Sequence, residues 1–162
     1  MNKMSRVLPF EKICQLTEQL TVALIMTPRD QFKEVSSKDS VGNAIRLMNL
    51  RDESKPEYEQ LPVKDESESI VGLIHYERIK DELPNKCVRE YVDDSEAKIS
   101  ETDPIGRCME MLISEPCILV GNGSEISGLV HISDLNKQAV RLYFYIWLAS
   151  VEMGLLEKLK QK

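Results

Sequence analysis

The sequence predicts a mixed α/β fold built from two tandem copies of one unit, and three observations carry that prediction. Residues 71–79, Val71-Gly72-Leu73-Ile74-His75-Tyr76-Glu77-Arg78-Ile79, return in pattern as Ser127-Gly128-Leu129-Val130-His131-Ile132-Ser133-Asp134-Leu135 at an offset of 56. Residues 39–48 match residues 103–112 at an offset of 64. Leu61-Pro62-Val63 answers Ile118-Leu119-Val120 at an offset of 57. Several matches in one order along the chain mark a duplicated supersecondary unit. The fall in offset puts the length difference in the charged residues 49–60, and one loop is where a repeated fold tolerates an insertion.

Residues 10–24 carry Ile13, Leu16, Leu20 and Leu24 at three-to-four spacing, one face of a helix. Thr27-Pro28 ends it, because proline disfavours a helical residue ahead of it. A short strand over 32–35, capping-type residues 36–40 and a helix over 41–50 with Val41, Ala44, Ile45 and Met48 on one side follow. The charged loop 51–60 leads to strand 61–63, turn 64–69 and strand 70–75. A helix over 77–83, stopped by Pro84-Asn85, closes the first unit. The second replays the order: strand 98–99, helix 104–113 with proline in its first turn, strand 117–120, tight turn 121–124, strand 126–131 and a helix after Asp134. The resulting partition is an N-terminal helix over 1–26, repeats over 27–87 and 88–138, and a C-terminal helix over 139–162.

That last helix contains no proline after Asn136 and only Gly154 as a breaker, so more than twenty residues are expected. One apolar stripe runs through Val140, Tyr143, Phe144, Trp147, Val151, Leu155 and Leu159; a second runs through Leu142, Ile146, Ala149, Met153 and Leu156. Between Val140 and Leu156 only Arg141 and Glu152 are charged. Each large apolar side chain gains about 1.5–3 kcal/mol by full burial, so one stripe docks on its own domain and the other asks for a partner, unless one monomer buries both.

Composition narrows the function. A net charge of -6 repels nucleic-acid phosphate, so nucleic-acid binding is not expected. The first ten residues have basic groups but no apolar run behind them, and the apolar run 142–151 falls short of the roughly 20 residues of a membrane span. The expectation is a cytoplasmic protein with no membrane partner. Cys14, Cys87, Cys108 and Cys117 show no ligand spacing and read as buried free thiols of a reducing compartment. His75 and His131 are two ligands without a third, so no metal is expected. Ser133 lies near His131 without a Gly-x-Ser-x-Gly elbow, and no P-loop exists, so no enzyme is expected and no cofactor is required.

The repeated unit resembles a CBS domain, the module named after cystathionine beta-synthase, and the pair resembles a Bateman module. The resemblance covers residues 27–137 and is strongest over Gly128 to Leu135. It implies two repeats packed with pseudo-twofold symmetry, forming a regulatory, ligand-sensing module with two clefts between them, where an adenosine-containing molecule such as AMP, ATP or S-adenosylmethionine is clasped. It also implies that Asp134 binds ribose, for which a carboxylate is suited because it accepts from both hydroxyls; as a plain alternative, Asp134 caps the helix. His131 stands where the family usually has Ser or Thr, and either offers a titratable donor or fills the pocket. With Ser133 these residues form one wall; Thr27, Lys33, Tyr58 and Glu59 form the other, Tyr58 suited to stacking on a purine and Lys33 to a phosphate. The second cleft pairs His75 and Arg78 with Ala97, Lys98, Glu115 and Pro116. Arg78 replaces the aspartate there, which leaves that cleft degenerate or turned to an anion. The second apolar stripe of the C-terminal helix adds the expectation of a homodimer through the CBS repeat faces and that helix. The alternative is a scaffold in which both clefts are degenerate and the helix alone does the assembling.

Overall fold

A computed structural model of the chain describes residues 9–48, 50–52, 55–94, 98–122 and 125–160. In chain order the elements are α1 (Pro9–Glu18), β1 (Thr27–Pro28), β2 (Val35–Ser36), α2 (Val41–Leu47), β3 (Leu50–Asp52), β4 (Lys55–Pro56), β5 (Gln60–Lys64), β6 (Ile70–His75), α3 (Tyr76–Ile79), β7 (Lys98–Ile99), α4 (Ile105–Met111), β8 (Cys117–Asn122), β9 (Glu125–His131) and α5 (Gln138–Lys160). Single 3-10 turns fall at Val22–Leu24, Arg29–Gln31, Val88–Tyr91 and Ile132–Asn136.

Duplication is visible at every level. In each repeat a short strand runs parallel to the first arm of a hairpin, β2 on β5 and β7 on β8, while the hairpin arms pair antiparallel, Leu61 opposite Ile74 and Ile118 opposite Val130. Each short strand feeds a seven-residue helix. Ser40 starts α2 by accepting the Asn43 N–H at 3.2 Å, satisfying one of the free donors of the first turn. Pro104 precedes α4 and sits at its N-cap rather than inside the helix.

The repeats exchange their lead-in segments. Thr27 and Pro28 pair with Leu129 and Gly128 of the second repeat's sheet, and Asp93 forms a bridge to Leu73 of the first. Val22 and Ile25 are therefore buried with Ile105, Cys108, Ile118 and Val130, whereas Val88 is buried with Val41, Leu61, Val63 and Ile74. This crossing explains the glycine at the start of the repeated motif. A Cβ on Gly128 would lie 2.8 Å from the Thr27 carbonyl oxygen, and one on Gly72 would overlap the Asp93 carbonyl. Glycine is the residue that lets another backbone pass so close. A third core of Ile70, Leu73, Cys117, Leu119 and Ile126 holds the two sheets together.

Four sequence expectations need correction. The N-terminal helix ends at Glu18, and the residues before Met26 form a 3-10 turn instead. The strand expected over 32–35 is confined to Val35–Ser36. The helix after His75 is one turn, Tyr76–Ile79, where seven residues were expected. The charged loop contains a two-stranded ribbon, β3 with β4. Residues 123 and 124 of the expected tight turn lie outside the described residues.

α5 is one continuous helix of 23 residues, about 34 Å long at 1.5 Å per residue. Its length and composition meet those of a membrane span, so the argument from the apolar run 142–151 does not hold. The docked side mixes the two expected stripes. Val140 is buried in the second repeat's core, Tyr143 packs there too, and Ser150 is buried, while Trp147 and Leu155 of the same expected stripe are exposed. α1 packs along α5, which decides which side is covered.

Candidate functional site

A cleft of about 570 Å³ opens where the strand ends of the two repeats meet. The exchanged lead-in brings Thr27 to its edge, and Phe32 and Lys33 follow from the Arg29–Gln31 turn. Tyr58 and Glu59, ahead of β5, complete the first repeat's wall. The second repeat supplies His131 at the end of β9 and Ser133 and Asp134 from the turn Ile132–Asn136. All seven residues expected on the first cleft therefore lie along one cavity, with Leu73 and Leu129 carrying the inter-sheet core up to it.

Asp134 is held rather than free. Its Oδ2 accepts the His131 N–H at 2.8 Å, and its Oδ1 lies 3.0 Å from Lys137 Nζ. Lys137 in turn donates to the Ile25 carbonyl at 2.6 Å and the Met26 carbonyl at 3.3 Å, so the motif is pinned to the segment that delivers Thr27. The N-cap is His131, whose Nδ1 accepts the Ser133 N–H at 3.2 Å; Asp134 is the reciprocal arm of that capping box, not the cap itself. The reason is the start of the helical turn at Ile132, three residues earlier than a cap at Asp134 requires. An ionised carboxylate offers about four lone-pair sites, so each oxygen retains capacity toward the cavity.

On the facing wall, Lys33 Nζ stands 5.1 Å above the Tyr58 ring centroid and donates to the Leu47 carbonyl at 3.4 Å. Phe32, Gln31, Gln60, Pro62 and Cys117 also line the cleft and were not singled out in the sequence. Gln60 is distinctive: its Oε1 is buried and has no hydrogen-bond partner among the described residues. Beneath Asp134, burial pushes the Cys108 thiol up to about 11, and the Asp134 carboxylate adds to the shift. Cys87 and Cys117 are free thiols as well.

Pro116, expected on the second cleft, lines this one. It and Glu59 are symmetry counterparts: Ile132 N–H donates to the Pro116 carbonyl at 2.9 Å as Tyr76 N–H does to Glu59 at 2.8 Å. Residues close to the pseudo-twofold axis reach the same cavity from both repeats, which assigning one counterpart to each cleft overlooks. In the second repeat-to-repeat contact, Arg78 forms an ion pair with Asp93 at 2.9 Å. His75 ends β6 opposite Gln60, and Lys98 is exposed on the edge strand β7. Ala97 lies outside the described residues. Asp93 was legible as a counterpart of Thr27, because residues 87–94 follow residues 21–28 at an offset of 66.

Comparison with known proteins bears on this geometry. Residues 22–85 match the family model of the CBS domain. No curated protein matches the chain by sequence. Among solved structures, a CBS domain-containing protein of unknown function from Bacillus anthracis is similar with a TM-score of 0.65 at 18% identity, over 75% of this chain and 94% of that one. The CBS domains of a transcriptional regulator from Streptococcus pneumoniae give 0.62 at 18% identity, over 71% of this chain and 95% of that one. The CBS domain of a bacterial CNNM/CorC family magnesium transporter, solved in complex with ATP, gives 0.63 at 18% identity, over 81% and 94% of the two chains. The first repeat is matched in sequence and the paired arrangement in fold: the chain carries a CBS domain and folds as a tandem CBS module.

Proposed function

We propose that the cleft between the repeats binds an adenosine-containing ligand, and that the chain is a sensor whose two repeats respond to it. CBS domains are regulatory ligand-binding modules, and a structural neighbour was solved with ATP. The observation that carries the reading is the convergence of Thr27, Tyr58 and Asp134 on one 570 Å³ cavity from separate repeats. Asp134 accepts the ribose hydroxyls, each bond to the charged group contributing about 1.5–3 kcal/mol. The purine lies against Tyr58, displacing Lys33 toward phosphate. The orphaned Gln60 Oε1 accepts from the exocyclic amine of adenine, a donor that guanine lacks at the same position. Because the ligand touches both repeats, it favours whichever arrangement of them fits it better, which is the requirement for a sensor.

A second reading, a scaffold with unused clefts, draws on the Lys137 contact that already engages Asp134. Calorimetric titration with AMP, ATP, S-adenosylmethionine and GMP separates the two. The sensor reading expects heat from at least one adenosyl ligand, a weaker response to GMP, and a ten- to hundredfold loss of affinity in Asp134→Asn, which keeps an acceptor for the His131 N–H. Silence from every ligand leaves the scaffold.

A further inference from the structure

We infer that the outward side of α5 is an interface with a second copy of this chain, the two α5 helices running antiparallel; the inference is independent of what the cleft binds. One side of α5 is fixed, with Val140 in the second repeat's core and the Tyr143 hydroxyl covering Gly106. Nine large apolar residues of α5 are exposed, and at 3.6 residues per turn five of them, Tyr145 at 72%, Leu148, Leu155, Leu156 and Leu159, share one side with Arg141 and Glu152. A half-exposed large side chain leaves about 100 Å² in water, so that side amounts to on the order of 500 Å². That matches the largest patch of a typical monomer, roughly 300–600 Å², which is often a functional surface.

Charge selects the occupant and its direction. Arg141 and Glu152 are exposed on α5, and neither side chain forms an ion pair among the described residues. Parallel helices related by a twofold would set Arg141 against its own copy, a repulsive contact. An antiparallel pair centred between Ile146 and Trp147 sets Arg141 against Glu152 of the partner subunit and stacks Tyr145 on the partner's Leu148. A bilayer is the competing occupant, since α5 has the length and composition of a span. Insertion would carry Glu152 to within three residues of the helix midpoint and draw Val140 out of its core. A charged side chain at that depth is costly.

Size-exclusion chromatography with light scattering on the whole chain at micromolar concentration is expected to give a dimer mass. Leu148→Glu is expected to give a monomer with an unchanged circular dichroism spectrum. Arg141→Glu is expected to weaken the dimer about tenfold, because the twofold doubles each exposed pair, and adding Glu152→Arg to it is expected to restore the affinity. A monomeric wild type, or a dimer that survives Leu148→Glu, overturns the interface. Equal affinities for the single and double charge variants overturn the antiparallel register. Flotation of the wild type with phosphatidylcholine vesicles, lost in Leu148→Glu, would assign the face to a membrane instead.

Discussion

At the end of β9 the turn carries Asp134 and faces Thr27; at the end of β6 the matching turn carries Arg78 and meets Asp93. The register is the same in both places, since Thr27 lies opposite Leu129 and Asp93 opposite Leu73. The turns that follow differ: a capped 3-10 turn at Ile132–Asn136, and one α-helical turn without a side-chain cap at Tyr76–Ile79. In the first contact an acceptor and a hydroxyl border a cavity; in the second, opposite charges close on each other. A single fold used twice thus borders an open polar cavity at one contact and carries an ion pair on the surface of the other.

The sharpest way to break the comparison is to attack what both halves share, the passage of each lead-in strand over a glycine. Gly72→Val and Gly128→Val each place carbon atoms against a backbone carbonyl that no rotamer can avoid. Each is expected to cost about 3 kcal/mol or more in urea denaturation, at the upper end of overpacking. The two differ in function. Gly128→Val dislodges Thr27 and is expected to abolish the calorimetric response, whereas Gly72→Val disturbs Asp93 and leaves a folded fraction that still binds. Equal loss of binding in both would mean that the clefts are not separable.

A subtler contrast lies in the helices. Cys108 of α4 occupies the position of Ala44 in α2, both fully buried, so a thiol in the second repeat's core stands where the first has a methyl group. Its thiol is raised from an ordinary 9.0 to about 11 by burial first and by Asp134 second. The folded state holds this proton more tightly than the unfolded chain. The associated stability is therefore complete below about pH 9 and is lost as the pH climbs toward about 11, a change of about 2–3 kcal/mol. Denaturation midpoints followed across that window should fall more steeply in the wild type than in Cys108→Ala, which makes the second repeat resemble the first. Parallel slopes would remove the burial argument.

The duplication, the strand pairs and the first cleft's polar residues were legible because they depend on local pattern: apolar alternation, a glycine at a fixed place, an acidic residue opening a turn. The exchange of lead-in segments was not, because Val22 and Val88 look alike in sequence and nothing local tells which sheet each joins. That Pro116 borders the first cavity was hidden for a related reason, since proximity to a symmetry axis is a property of the assembled halves. Gln60 escaped notice because its neighbours in β5 are apolar, and only the closed structure reveals an amide oxygen with no donor. On α5 the two apolar stripes were countable, but α1, packed against that helix, chose which side is covered.

The smallest expected effect belongs to the ion pair that distinguishes the clefts. Arg78 is 55% exposed and Asp93 22%, so water and salt screen their attraction, and such pairs contribute at most about 1 kcal/mol. Arg78→Ala should therefore shift the urea midpoint little, less still in high salt, and should leave ligand heat at the first cleft unchanged. A larger role would show in two ways. A loss of stability well beyond that figure would mean that the pair clamps the Asp93 lead-in to the first repeat's sheet. Altered ligand affinity would mean that the ion-paired contact and the open cleft move together, because Leu73 borders the cavity on one side and bridges to Asp93 on the other.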